Sequence, residues 1–145
     1  MPHLRYIVYA SDAAPDLDVR GLEAILAESR HHNLAHGITG VLLHGEGRFM
    51  QYFEGPEAAV KATFDRILRS SRHTGIVTLE DMSRVGRLFG EWTMGSVAAR
   101  SSEILRIVTA RWQYLATAPG RDEQGPSGLD ALKAFWRASQ GWLPD

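Results

Sequence analysis

The chain lacks cysteine, and this absence removes several classes of function. None of its 145 residues is a cysteine, which excludes disulfides, iron–sulfur clusters and thiol catalysis within the chain. No apolar run approaches the roughly 20 residues that span a bilayer, and the first residues have no signal-peptide core. The sequence therefore predicts a soluble, cytoplasmic protein with no membrane segment.

The chain also lacks an excess of charge of either sign. Its 16 Lys and Arg residues nearly balance 17 Asp and Glu residues, so no global field attracts nucleic acid or an anionic membrane. A chain of 145 residues supports one domain with a real core and a small appendage. We expect no nucleic-acid partner. We also expect a main domain over residues 1–98 and a helical extension over 99–145, with no separate effector domain.

Strand and helix patterns alternate through the main domain. The predicted order of segments is strand, helix, strand, strand, helix, strand and strand, over Leu4–Ser11, Asp16–Asn33, Ile38–Leu43, Arg48–Glu54, Pro56–Arg72, Ile76–Met82 and Trp92–Ala98. Asp18 is a candidate N-cap of the first helix. This βαββαββ order is typical of an α+β, ferredoxin-like fold, with a mixed five-stranded sheet and both helices on one face.

The extension has a helical character of its own. One apolar stripe includes Ile104, Leu105, Val108, Trp112 and Leu115, and a last short helix is marked by Leu132, Phe135 and Trp136. The stretch from Thr117 to Gly128 between them is rich in Pro, Gly and charge. We expect the two helices to cover the bare face of the sheet or to form a dimer contact, and we expect a homo-oligomer.

Three polar side chains fall where the periodicity places the core. Tyr9 lies in the first strand, Gln51 lies between Phe49 and Phe53, and Asn33 continues the apolar stripe of the first helix. A buried polar group without a partner costs about 1 to 3 kcal/mol. A shared ligand would satisfy all three, whereas the alternative is a core network in which they bond to the protein itself.

A flat heteroaromatic ligand suits this set, since its faces are apolar and its rim alternates donors and acceptors. An isoalloxazine ring meets that description, and Arg66 of the second helix could reach its carbonyls. Positive charge follows on Arg69, Arg72 and His73, which suits a ligand phosphate. The alternative for these basic residues is a solvated helix end.

Five blocks of sequence, taken in order, resemble one family. They are Tyr6–Ser11, Asn33–Leu43, Phe49–Pro56, Arg72–His73 and Phe89–Met94. Together they look like the BLUF family, sensors of blue light using FAD, and the resemblance covers roughly residues 3–98. Each block is weak alone, and the ordered set is specific.

The resemblance implies a flavin held noncovalently between the two helices, namely FAD, with FMN or riboflavin as alternatives. Ile25 and Ile67 would lie against its faces, and Asn33, Gln51 and Arg66 would lie at its polar edge. The resemblance also places His32 near the ring. Further cofactor-binding positions implied by it are Tyr9, Ser70, Arg72 and His73, although Ser70 stands where the family commonly has an acid.

The resemblance also implies a mechanism. Tyr9 becomes the photochemical electron and proton donor, and Gln51 becomes the amide that relays the proton and then changes orientation or tautomer. Trp92 and Met94 match the family's switch strand, and because they are two residues apart we expect them to share one strand face. The signal would pass through them to the C-terminal helices and a downstream signalling protein. We therefore expect a short, stand-alone sensor and not an enzyme.

Functions of other classes remain open at this point. One is a small flavin-dependent reductase or acylphosphatase-like enzyme on the same fold. Another is a ligand-free interaction module that docks a partner through Trp112, Trp136 and Trp142. His32 and His36 have helical i,i+4 spacing but lack the intervening Glu of a zinc protease, so we expect no metal.

Overall fold

A mixed five-stranded sheet with helices on both faces forms the frame. The computed structural model describes residues 3–112 and 127–140. Its elements are β1 (His3–Ala13), α1 (Val19–His36), β2 (Thr39–Gly45), β3 (Arg48–Gly55), α2 (Glu57–Leu68), β4 (His73–Val85), β5 (Gly95–Ala98), α3 (Ser101–Val108) and α4 (Gly128–Ser139). The sheet order is β4-β1-β3-β2-β5, in which β2 and β5 are parallel and the other neighbours are antiparallel. The predicted ferredoxin-like fold is confirmed.

Strand alternation divides the core into two layers. On one face, Ile7, Tyr9 and Phe53 pack against α2, while Leu42 and Phe49 pack against α1. The opposite face carries a larger cluster that includes side chains from α3 and α4, among them Tyr6, Val8, Leu43, Met50, Tyr52, Ile104, Ile107, Leu132 and Trp136. The C-terminal helices therefore cover the face that α1 and α2 leave bare, which was one of the two expected positions.

Helix α1 is fixed at both ends by local sequence signals. The Asp18 carboxylate accepts the Gly21 N–H at 2.8 Å, as the N-cap prediction requires. At the other end Gly37 has φ 69°, and its N–H donates to the Asn33 carbonyl. The helix thus extends to His36, beyond the predicted end at Asn33. Asn33 consequently lies within the last turn, where its side chain is buried.

The bounds of three later elements also differ from the prediction. Helix α2 ends at Leu68 instead of Arg72, and the Leu68 side chain, which is 50% exposed, does not belong to the apolar stripe. Strand β4 is longer than predicted, since it runs over 13 residues. Strand β5 begins at Gly95 and not at Trp92.

The predicted helical stripe of the extension is broken at its end. Helix α3 stops at Val108, and the chain turns so that the buried Trp112 indole N–H donates to the Ile107 carbonyl at 2.8 Å. Leu105 is 47% exposed and lies off the stripe. Leu115, Trp142 and residues 117–126 of the predicted loop lie outside the described residues. In the part of the chain that is described, no helix is both long and apolar enough to cross a membrane.

Candidate functional site

A cavity of about 390 Å³ opens between α1, α2 and the sheet. Its volume falls within the roughly 300 to 1,000 Å³ typical of small-molecule sites. All ten residues predicted to bind a cofactor line it, namely Tyr9, Ile25, His32, Asn33, Gln51, Arg66, Ile67, Ser70, Arg72 and His73. The structure therefore brings the whole predicted set together, although their roles toward a cofactor stay predictions.

Other lining residues were not predicted as part of the site. Glu28 and Ser29 lie three and four positions after Ile25 on α1, so helical spacing could have identified them. Leu42 of β2 and Thr63 of α2 also line the cavity. The sequence evidence for these two residues is weaker, because identifying them requires knowing which strands and helices pack together.

Tyr9, Gln51 and Met94 form a connected chain at the floor of the cavity. Tyr9 and Gln51 are direct partners across the antiparallel β1–β3 pair, and the Tyr9 hydroxyl donates to Gln51 Oε1. Gln51 Nε2 in turn donates to Met94 Sδ at 3.6 Å. The core-network alternative is thus correct for part of the set, since the Tyr9 hydroxyl and the Gln51 amide satisfy each other while both still face the cavity.

The surroundings of Tyr9 keep its hydroxyl protonated. The side chain is buried, with its ring against Phe53, Phe64 and His73. Burial raises the pKa of Tyr9 above its ordinary value, because the phenolate would be poorly solvated there. At neutral pH the hydroxyl therefore carries a proton that is already directed at Gln51.

Asn33 reaches the cavity from α1. Its Nδ2 donates to the Thr93 carbonyl at 2.6 Å. An asparagine amide has a second N–H and an acceptor oxygen, so further hydrogen-bonding capacity remains at this position. Asn33 therefore has groups to offer a ligand while it also holds the segment that precedes β5.

The basic end of the cavity is partly neutralised. Arg72 forms a bidentate ion pair with Glu28, at 2.7 and 3.0 Å, which raises the pKa of Arg72 and lowers the pKa of Glu28. Arg66 and Arg69 also line the cavity. The positive charge at this end of the cavity therefore comes mainly from Arg66 and Arg69, because Glu28 neutralises the charge of Arg72.

The surroundings of both histidines of the site lower their pKa values and so favour the neutral imidazole. His73 Nδ1 lies 2.7 Å from Ser11 Oγ, and Nε2 lies 3.3 Å from the Ile67 carbonyl. Burial lowers the pKa of His73, so the positive charge expected there is not supported at neutral pH. His32 Nε2 lies 2.9 Å from Thr63 Oγ1, and its pKa is lowered by burial and by the neighbouring Arg66 and His36.

Trp92 and Met94 do not share a face, so that prediction is wrong. Met94 is 2% exposed and lines the cavity, whereas Trp92 is 38% exposed and its ring lies 5.4 Å from that of Trp136 on α4. The reason is that both residues precede β5, where no strand ladder imposes alternation. Of the two predicted relay residues, only Met94 touches the cavity.

The chemistry of the lining fits a flavin. Ile25 and Ile67 offer apolar walls on opposite helices, and Asn33, Gln51 and Arg66 offer hydrogen-bonding groups between them.

A metal site has no such support, since residues 3–112 and 127–140 contain no cluster of three or more His, Cys, Asp or Glu side chains suited to an ion.

The sequence model of the family described as sensors of blue-light using FAD matches residues 4–95. The chain belongs to the BLUF family. The family description, sensors of blue-light using FAD, agrees with the function that the resemblance implied. This membership argues against the ligand-free interaction module, because the family is described as using FAD.

Known proteins with the same unit differ widely in length. The chain is 35% identical over 94 residues to a photoactivated adenylate cyclase subunit beta of Euglena gracilis, which covers 64% of this chain and 11% of the cyclase subunit. It is 32% identical over 88 residues to the blue light- and temperature-regulated antirepressor BluF of Escherichia coli, which covers 61% of this chain and 22% of the antirepressor. The chain thus spans a small part of these relatives.

A solved BLUF protein, BlrB in its dark state, matches almost end to end. Its TM-score is 0.72 at 29% identity, and the match covers 96% of this chain and 98% of BlrB. The similarity therefore includes the region of α3 and α4, beyond the family match that ends at residue 95.

Proposed function

We propose that Tyr9 is the electron and proton donor of this sensor and that Gln51 relays the proton. Bound FAD would supply the absorption of blue light and would serve as the acceptor of one electron and one proton. The Tyr9 hydroxyl would pass its proton to Gln51 Oε1 as Tyr9 gives up an electron, and the proton released from Gln51 Nε2 would go, like the electron, to the bound cofactor. The amide would be left as a tautomer or would turn over, and a turned amide would present Oε1 in place of the Nε2 donor to Met94.

The observation that carries this proposal is the hydrogen-bonded chain from Tyr9 through Gln51 to Met94. Each of its three side chains is buried, and each link has a donor and an acceptor. Turning of the Gln51 amide would therefore break the hydrogen bond to Met94, because the thioether can only accept. The light signal leaves the cavity at that residue.

The test compares Tyr9→Phe with Tyr6→Phe. Tyr9→Phe keeps the ring and removes the proton, so we expect flavin to remain bound while the light response stops. Tyr6 lies in the same strand but faces the opposite layer, so Tyr6→Phe is the matched control and should respond normally. Absorption spectra before and after blue light are the measurement, and the expected response is a small reversible red shift of the flavin bands.

Three results would contradict the proposal. A full red shift in Tyr9→Phe would remove Tyr9 as the donor. A normal shift in Gln51→Leu would remove Gln51 as the relay, since leucine has no group that can pass a proton. Bleaching of the oxidised bands in the unmodified protein would contradict the whole scheme.

We further propose that the output is a changed contact with a downstream signalling protein. Related light sensors include an antirepressor and cyclase subunits, which supports coupling to other functional units.

The proposed division of the chain between residues 98 and 99 is supported by the family match, which ends at residue 95, and by the start of α3 at Ser101. The predicted homo-oligomer is tested by sedimentation in the dark and in the light, and the cytoplasmic location stays a prediction.

A further inference from the structure

The segment that carries Met94 is held by three hydrogen bonds to consecutive carbonyl groups. The Gly40 N–H of β2 donates to the Trp92 carbonyl at 2.8 Å. From α1, Asn33 Nδ2 donates to the Thr93 carbonyl at 2.6 Å, and Arg30 Nε donates to the Met94 carbonyl at 3.0 Å. Because β5 begins only at Gly95, these bonds replace the strand ladder that would otherwise fix Met94.

Arg30 differs from the other two donors in its location. It is exposed and does not line the flavin cavity. Instead it borders a second, smaller opening of about 250 Å³, together with Trp92, Trp136 and Gln140. Arg30 therefore acts on Met94 from outside the cavity, on the side where α4 lies.

We propose that Arg30 is a positioning residue that places the Met94 side chain against the Gln51 amide. The inference rests on the proposed roles of Gln51 and Met94. Its physical basis is that the Met94 carbonyl sits at the junction with Gly95, a residue whose backbone is intrinsically free. A donor on that carbonyl restricts the rotation that would carry the Met94 side chain away from Gln51.

Two substitutions of matched length separate the hydrogen bond from the charge. In Arg30→Met the terminal methyl takes the place of Nε, so the donor is lost. In Arg30→Gln the amide nitrogen takes that place, so a donor remains and the positive charge is lost. Because Arg30 is exposed, neither change disturbs the core.

The measurement is the ¹³C-methyl methionine spectrum of the flavin-loaded protein in the dark. Met94→Leu, alone and combined with Arg30→Met, distinguishes the Met94 signal from the additional methyl signal that Arg30→Met introduces. Met50, which is buried on the opposite sheet face, is the internal reference. We expect Arg30→Met to displace or split the Met94 signal, with the ratio of docked to undocked Met94 falling about fivefold, the value of one ordinary hydrogen bond. Arg30→Gln should keep the signal close to its original position, and Met50 should not change.

The inference is overturned if Arg30→Met leaves the Met94 signal in place, or if Arg30→Gln displaces it as far as Arg30→Met does. Flavin absorbance of each sample verifies that the cofactor is bound. Because the spectrum is taken in the dark, it does not depend on electron transfer from Tyr9. If the unmodified protein shows no red shift in blue light, the proposed function is contradicted, but the effect of Arg30 on the Met94 signal still holds. If the red shift is normal and the Met94 signal does not move in Arg30→Met, only the role of Arg30 is removed.

Discussion

Glu54 is a carboxylate with no exposed surface that accepts hydrogen bonds from four groups. Two are hydroxyls, of Tyr52 at 2.7 Å and Thr39 at 3.1 Å. The other two are backbone N–H groups, of Leu88 at 2.7 Å and Phe89 at 2.8 Å. Such donors offset the cost of burying the group. The carboxylate thereby fastens the β4–β5 connection to the end of β3, close to the segment that carries Met94.

Glu54→Leu should be strongly destabilising. The substitution leaves two backbone N–H groups and two hydroxyls without their acceptor, so we expect a loss of about 3 kcal/mol or more in the free energy of unfolding. Urea denaturation measures it. Glu57→Gln, at an exposed carboxylate on α2, is the control and should change stability by less than about 0.5 kcal/mol. Equal urea midpoints for the two variants would show that the Glu54 hydrogen bonds do not stabilise the fold.

His73 predicts a pH dependence of stability. Burial lowers its folded-state pKa below the unfolded value of 6.5, so the unfolded chain takes up a proton first as the pH falls. The free energy of unfolding should therefore be highest, as far as His73 determines it, above about pH 6.5 and should decrease below that pH. His73→Gln should make that decline shallower, because one of the groups responsible is gone. Thermal unfolding of flavin-loaded protein between pH 5 and 8 tests this, and an unchanged slope would exclude His73 as a cause.

The secondary structure shows which elements a sequence can specify. Strands β1 and β3 follow period-2 patterns, so their inward residues, including Tyr9 and Gln51, could be assigned to one face. The Asp18 cap and the Gly37 stop define α1 by local chemistry alone. Most of the cofactor-binding set was instead implied by the family resemblance, and the structure places all of its members along the cavity.

The errors fall where the backbone is irregular. Met94 and Trp92 belong to a segment whose geometry is set by α1 and β2 through hydrogen bonds to its carbonyls, and no local pattern encodes those partners. Likewise Trp112 continues a helical period in the sequence, yet it fills the opposite sheet face after α3 has ended. In both cases tertiary contacts decide the backbone, and periodicity has no information about them.

Gly128 at the start of α4 should tolerate no side chain. A Cβ added there would overlap the Trp112 ring, so Gly128→Ala forces either α4 or the indole to move. We expect a loss of roughly 1 to 3 kcal/mol. Gly90→Ala is the control, because its Cβ would meet only the Arg87 side chain at ordinary distance. Urea denaturation of both variants measures the effect, and a neutral Gly128→Ala would mean that α4 is not seated on Trp112.

In the whole molecule, the cavity and the C-terminal helices lie on opposite faces of one sheet. Helix α3 is anchored to the β2–β3 hairpin, since the Ser101 N–H donates to Glu46 Oε1 at 2.7 Å and the Ala99 N–H donates to the His44 carbonyl at 2.8 Å. Helix α4, in contrast, contacts the segment before β5 through the Trp92–Trp136 ring pair. Of the two C-terminal helices, α4 is therefore the better supported recipient of a signal from this segment.

Trp136→Phe should uncouple α4 from the light response without affecting photochemistry. The smaller ring weakens the contact with Trp92, while Trp136 itself does not line the flavin cavity. We expect a normal red shift together with a reduced light-minus-dark change in hydrogen exchange over residues 128–140. Phe135→Leu alters a partly buried neighbour on the same helix and should keep the full change. A change at Met94 can affect α4 only through contacts that differ between the dark and light states. If hydrogen exchange in Trp136→Phe responds to light as strongly as in the unmodified protein, the contact between the Trp92 and Trp136 rings is not the route.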